Sequence, residues 1–504
     1  MNNQQPAPTS DRPSARSRLV RQSVMLSGGF AAAQLCSFLR NALIGYALSK
    51  GDFGIAATIT LVLQMLETLS DLGADRLLVQ ATDGDKPAMM AAAHTTLALR
   101  GLITACLIYL SAAAVAAFFG IPNARTAFEA ASLVPLIKGL MHLDSRREQR
   151  SMQNRNFVLI EVIPQVASLA ATFPALALIG GYETVVSVAI LQALLSVATS
   201  HIVSSRPYRI GFEAACMKRL IAFGWPIWLS AFPLVLVYQG DRIIIGRLLG
   251  MDALAGYSAA FMIAMVPGLL AAKVGHALML PLLSAQRADR AVFEQRYIIM
   301  CEGASIAAAI YLAGFVMAGG KVLPLAFGPQ YTGLGAVVAW LGAMWSLRMV
   351  QAVPGMALMA VGDTRPLLTA GILRAAAIGL VFAAIQTDLG LAGAAAAGVA
   401  GEVASLIYVA VRAGQGKRAI VWTPLRCGLF PLAAGTAAAA FMTLLPAGPS
   451  AWLIGPVTIA AGAVCLLAGL ASMPAARGFI EGWIDRDGVK NTPLKEEIYV
   501  TTRA

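Results

Sequence analysis

The feature that most constrains this chain is a recurring apolar window of twenty or more residues, cut by short punctuation of Gly, Pro and charge. A helix needs about 20 such residues to cross roughly 30 Å of hydrocarbon. Fourteen windows fit, near 24–46, 53–74, 91–119, 122–143, 157–179, 183–203, 220–240, 252–273, 297–318, 334–360, 366–386, 390–411, 424–445 and 451–472. Only 13% of the 504 residues are charged, where a soluble chain carries about a quarter. Such a chain cannot coat a water-soluble surface, and no polar stretch is long enough for a separate soluble domain. Polar residues 1–23 run directly into a window too long for a signal-peptide core, so the first window is expected to remain a span. Residues 473–504 read as a polar tail.

Charge then tests the parsing. With the N-terminus inside, 28 of the 38 lysines and arginines fall on the inner side and 5 on the outer, with 5 more inside spans. Basic residues flank the cytoplasmic ends of spans, so this asymmetry predicts fourteen spans with both termini cytoplasmic. It also accounts for most of the net charge of +12, as orientation against anionic lipid rather than nucleic-acid binding. The basic segment from Arg146 to Arg155 is read mainly as such a determinant, with docking of a cytoplasmic glycosyltransferase as its alternative.

No residue constellation supports soluble chemistry. The six cysteines are dispersed without a CxxC and the four histidines without an HExxH, so neither a disulfide frame nor a metal site is expected. Neither Gly320-Lys321 nor Gly416-Lys417 completes a phosphate-binding P-loop.

An internal repeat is visible. Residues 40–56, RNALIGYALSKGDFGIA, align with 241–258, DRIIIGRLLGMDALAGYS, at an offset of about 201. Phe119-Gly120-Ile121-Pro122 likewise opens the fourth window as Phe327-Gly328-Pro329 opens the tenth. Six spans separate the members of each pair, so the copies share one orientation, a plan common among alternating-access carriers. The predicted architecture is all-α and integral to the membrane: an N-lobe over 24–203 (six spans), a C-lobe over 204–411 (six spans), and two further spans over 412–472.

The segment FGWPIWLSAFPLVLVYQGDRIIIGRLLGMDALAGYSAAFMIAMVP, Phe223 to Pro267, resembles the seventh and eighth helices of the polysaccharide-transport, Wzx-type branch of the MOP superfamily. KGDFGIA at Lys50–Ala56, LSDLGADRLLVQ at Leu69–Gln80, VLPLAFGPQY at Val322–Tyr331 and the Gly362-Asp363 turn fit it too. The resemblance covers about residues 20–470. It implies a flippase of the bacterial inner membrane that moves undecaprenyl-diphosphate-linked oligosaccharide from the cytoplasmic to the periplasmic leaflet. The partners it implies are that lipid-linked glycan, membrane lipid, and a polysaccharide polymerase or glycosyltransferases.

A diphosphate in a membrane cavity calls for arginine, whose guanidinium holds phosphate oxygens in bidentate geometry, so ionisable residues inside spans are the candidates. Arg348 leads, near the middle of a 27-residue window with Pro354 nearby, and Arg374 follows. Arg40 and Arg242 are further substrate-binding candidates, the repeat setting Arg40 opposite Asp241 at an expected outer mouth; interfacial snorkelling is the alternative for both. Arg100 and Lys138 are read as snorkelling. Among the acidic set Glu67, Asp71, Glu161, Glu302 and Glu402, counter-charge to the arginines is one reading. Proton or sodium coupling at Glu67, Glu302 or Glu402, with Asp241 as a gate, is the sharper one. No cofactor is expected beyond such an ion. The alternatives to a flippase are a MATE-like cation-coupled multidrug exporter, which would favour acidic cavity residues, and a membrane glycan polymerase or glycosyltransferase, which would need a larger outer loop.

Overall fold

The computed structural model describes residues 15–285, 289–414, 418–444 and 451–488, and every regular element among them is a helix. In chain order these are α1 (Ala15–Ala47), α2 (Lys50–Leu69), α3 (Ala74–Gln80), α4 (Pro87–Phe118), α5 (Arg125–Ala131), α6 (Leu133–Lys138), α7 (Asp144–Arg150), α8 (Arg155–Leu178) and α9 (Glu183–Ile202). There follow α10 (Ala214–Leu248), α11 (Gly250–Ala285), α12 (Arg290–Phe327), α13 (Gly335–Ala360), α14 (Arg365–Ala376) and α15 (Ile378–Gln386). The last are α16 (Gly390–Gly414), α17 (Arg418–Leu444), α18 (Ala451–Ser472) and α19 (Pro474–Gly488).

Twelve of the described helices are long and apolar enough to cross a membrane, counting α14 and α15 together as one span. The 33-residue α1 occupies the first expected window. Large apolar side chains such as Leu110, Leu178, Leu325 and Leu444 are at least 80% exposed, which suits a surface bathed in lipid and not one bathed in water.

One expectation is corrected. The fourth window, 122–143, is not one helix: Pro122 opens a single 3₁₀ turn, and α5 and α6 follow, parted at Ser132. Pro135 lies just beyond the break, and it has no N–H for the carbonyl of Ala131 and crowds it with its ring. The eleventh window bends at Ala377, between α14 and α15, and remains one apolar span over Arg365–Gln386. The stretch after Pro474, expected as a polar tail, begins with α19, seated by Met473 and Ala476 against Ile306.

The chain forms two compact units, Met1–Val235 with Leu249–Ala255, and Leu236–Leu248 with Gly256–Ala504. The first half of α10 belongs to the first unit because it shares a core with α3 and α4: Met217 and Leu220 are buried with Leu77, Leu78 and Met89. In the N-terminal unit α1 packs along α8, α8 on α9, and α4 on α5 and α6. Glycine permits the closest approach. A Cβ on Gly101 of α4 would lie 2.6 Å from the Pro135 carbonyl oxygen and 2.8 Å from Gly139 Cα. In the C-terminal unit α12 packs against α13, α17 and α18, while α13 lies on α16 and α16 on α14, α15 and α17.

The repeated Phe-Gly motifs have matching backbones. Gly120 (φ 69°) and Gly328 (φ 107°) each end a long helix in the region that disfavours side chains, and each leads to a proline-initiated 3₁₀ turn.

Candidate functional site

The C-terminal unit carries a cationic cluster in its interior. Arg348 sits near the middle of α13, its side chain 9% exposed, and its Nε donates to Oε1 of Glu402 on α16 at 2.6 Å. Arg374 on α14 brings its Nε to 3.0 Å from the other oxygen, Oε2. Two guanidiniums thus face one carboxylate, leaving a net positive charge. The Arg348 guanidinium also lies over the rings of Trp345 (4.7 Å) and Tyr238 (5.0 Å), which favours a cation held away from water.

Around this pair several polar atoms are left over. Arg348 Nη1, Trp345 Nε1 and Gln351 Oε1 are buried without a hydrogen-bond partner, although Gln351 Nε2 donates to Ser405 Oγ at 2.6 Å. Each such orphan costs about 1–3 kcal/mol, and the orphans are of both kinds, donors on Arg348, Arg374 and Trp345 and acceptors on Gln351 and Glu402.

Beside it, α10 presents Asp241 and Arg242. Tyr257 donates its hydroxyl proton to Asp241 Oδ2 at 2.6 Å, and the Arg242 backbone N–H donates to Oδ1. The Arg242 side chain turns the other way, stacking on Phe261 at 4.7 Å with Nη2 donating to the Tyr238 carbonyl. It is buried, so snorkelling does not describe it.

In the N-terminal unit, Arg40 of α1 donates from Nη1 to Ser168 Oγ (2.8 Å) and Gln165 Oε1 (3.3 Å) on α8, and to Gln192 Oε1 on α9. Every one of these partners is neutral, so the described residues leave this cation without a counter-charge.

The acidic candidates are engaged. Glu67 pairs with Lys138 at 2.8 Å, Asp71 with Arg76 (3.0 Å) and Arg100 (3.3 Å), and Glu302 with Arg426 at 2.7 Å. Glu302 also accepts the Ala476 N–H at 2.9 Å, capping the first turn of α19. Lys138 and Arg100, read as snorkelling, are each ion-paired. Glu161 is exposed. The basic segment is also balanced: Arg146 meets Asp75 at 3.1 Å, Arg147 meets Asp144 at 2.6 Å and Arg150 meets Asp85 at 3.7 Å. Among the described residues no group of three or more His, Cys, Asp or Glu could hold a metal ion.

Sequence reasoning missed the partners. Gln165, Gln192 and Gln351 are amides inside apolar windows, and that mismatch was the available signal. Tyr238, Trp345 and Tyr257 carried none, since aromatic residues are ordinary in such helices.

Comparison with known structures places the fold. The chain superposes on the lipid II flippase MurJ in an inward closed conformation with a TM-score of 0.70 and 12% identity, over 92% of this chain and 100% of that one. It also resembles a multidrug resistance MATE family transporter of the MOP superfamily in an inward-facing conformation, at a TM-score of 0.59 and 14% identity, over 82% and 98%. No curated protein matches the sequence. Both of these neighbours are transporters of the membrane. Residues 47–335, more than half of the chain, match the family described as polysaccharide biosynthesis protein, and the protein belongs to that family.

Proposed function

We propose that the protein is a flippase that carries undecaprenyl-diphosphate-linked oligosaccharide from the cytoplasmic to the periplasmic leaflet of the bacterial inner membrane by alternating access. The observation that carries this reading is the buried Arg348–Glu402–Arg374 cluster, with its excess positive charge and its unpartnered guanidinium nitrogen. A glycan with a diphosphate cannot cross hydrocarbon unaided, since each unpaired polar group there costs several kcal/mol. Arginines inside the bundle supply what phosphate oxygens need, and in the other unit Arg40 has only neutral partners. The likeness to a lipid II flippase supports a lipid-linked cargo in general. With the interior negative, moving two negative charges outward is favourable by about 4–5 kcal/mol per 100 mV, so directionality is available without a coupling ion.

A cation exporter would be served by a free carboxylate, whereas Glu402 and Glu302 are both held by arginine. The test is flipping of a short undecaprenyl-diphosphate oligosaccharide in proteoliposomes by wild type, Arg348→Ala and Arg348→Lys. The alanine variant is expected to insert normally and lose flipping, with partial activity in the lysine variant. Equal flipping by the alanine variant removes Arg348 from the site, and no flipping by wild type removes the substrate.

A further inference from the structure

The chain leaves its last span into a helix, α19, that quits the protein with an apolar face uncovered. Of the twelve apolar spans, the last, α18, is the least enclosed: 6% of its apolar window is buried within the protein. Ile459, Val464 and Leu467 all stand exposed along it, so this helix is covered by lipid over most of its length. It ends at Ser472, whose hydroxyl turns back to the Ala468 carbonyl at 2.8 Å. One residue later Pro474 opens α19, at the position where a proline costs no intrahelical hydrogen bond.

The start of α19 is fixed by the protein. Met473 and Ala476 are buried against Ile306 of α12, with Leu470 and Phe430 packed alongside. Glu302, one turn earlier on α12, accepts the Ala476 N–H at 2.9 Å. The seat ends there. From Arg477 to Gly482 every residue is exposed, among them Phe479 and Ile480. The helix nevertheless runs on to Gly488. A helix of fewer than about 12–15 residues is marginal in water without packing, so the part beyond Ala476 needs a second surface to hold it.

The sequence indicates what that surface is. At 3.6 residues per turn, positions 479, 480, 483 and 484, which are Phe, Ile, Trp and Ile, continue the face that begins with Met473 and Ala476. Arg477, Glu481 and Asp485 fall on a separate, charged face, where Arg477 Nε donates to Glu481 Oε1 at 2.7 Å. Apolar and charged arcs on one helix suit the boundary between headgroups and acyl chains, and tryptophan is enriched in that layer. Net charge is not the attraction. Arg477 and Arg486 are outnumbered by Glu481, Asp485 and Asp487, so anionic headgroups gain nothing from this helix.

We propose that α19 lies in the interfacial layer of the membrane where α18 emerges, the side expected to be cytoplasmic. The face carrying Phe479 and Ile480 is set into the acyl boundary. Lipid is its occupant because the seat on Glu302 starts α19 where the lipid-covered surface of α18 ends. The docking is apolar and requires no anionic headgroup. It rests on α18 spanning the bilayer and not on the flippase reading.

The test is tryptophan fluorescence of the full chain in phosphatidylcholine nanodiscs. Phe479→Trp adds a probe on the apolar face and Glu481→Trp one on the charged face, where loss of an exposed ion pair matters little. Subtracting the wild-type emission leaves the added residue. With acyl chains brominated near the glycerol, the Phe479→Trp signal is expected to fall by at least about half. The Glu481→Trp signal is expected to fall less and to be quenched by acrylamide from the water. Quenching of both by acrylamide and of neither by bromine overturns the proposal, since α19 then stands in water. Shielding of both from either quencher overturns it as well, because a second copy or another protein then covers the face. So does quenching of the Phe479→Trp probe that appears only after phosphatidylglycerol is added, since charge would then hold the helix. Should a probe variant not fold, the emission difference between wild type and Trp483→Phe is read instead. It is expected to shrink in brominated lipid, and an unchanged difference overturns the proposal. None of these readings depends on transport, so failure here leaves the flippase reading untouched.

Discussion

Arg348 Nε and Glu402 Oε1 lie 2.6 Å apart in the interior of the C-terminal unit, and Arg374 takes the remaining carboxylate oxygen. Glu402 is therefore a shared counter-ion between two helices, α13 and α14, and not a carboxylate awaiting a partner.

Removing the carboxylate leaves a buried cation, Arg348, facing a half-buried one, Arg374. Glu402→Ala is expected to destabilise the protein by about 3–5 kcal/mol, read as a lowered thermal midpoint in detergent. Replacing all three charges, as in Arg348→Met/Arg374→Leu/Glu402→Leu, should recover much of that stability while abolishing flipping. A triple variant less stable than Glu402→Ala would show that the cluster is structural in its own right.

Arg40 separates stability from binding in the other unit. Its partners are neutral amides and a hydroxyl, so Arg40→Gln is expected to cost no more than about 1.5 kcal/mol in stability. A charged hydrogen bond to phosphate is worth about 1.5–3 kcal/mol, and flipping should fall by roughly 10–150-fold. Unchanged flipping with lowered stability would make Arg40 a packing residue.

Gly101 tests the crossing of α4 and α6. An alanine there would press on the Pro135 carbonyl and Gly139 Cα, backbone atoms that cannot turn aside. Gly101→Ala should lower stability by about 1–3 kcal/mol, with a reduced folded yield in size-exclusion chromatography. A neutral result would mean that the helices can slide apart.

Glu302 holds α19. It accepts from Arg426 and from the Ala476 N–H, and Glu302→Ala should expose residues 474–488 to limited proteolysis several-fold faster than in the wild type. Equal cleavage rates would assign the seating of α19 to Met473 and Ala476 alone.

Acid stability is expected to run through Asp144. Burial acts to raise its pKa, but the Arg147 guanidinium and the Ser205 N–H and hydroxyl outweigh that and hold the carboxyl well below the usual range. A carboxyl depressed in the folded state stabilises it at pH values above its unfolded pKa of about 4, and the contribution is lost as pH falls below that value. Asp144→Asn should flatten the acid limb of the stability profile, measured by thermal unfolding between pH 3 and pH 7. An unaltered limb would place the acid sensitivity elsewhere.

The sequence alone determined the membrane-spanning helical class and the family resemblance, because hydrocarbon admits few solutions: a long apolar window must hydrogen-bond its own backbone, and few charges remain for water. It also singled out Arg348, Arg374 and Arg40, since arginine in such a window is conspicuous whatever surrounds it. What no window could show was which charges meet. Glu402 lies 54 residues from Arg348 and 28 from Arg374, and Lys138 lies 71 from Glu67. Helix rotation and packing decide those pairings, and they depend on side-chain volumes summed over neighbouring helices rather than on any local pattern. The break before Pro135 and the seat of α19 on Glu302 are of the same kind.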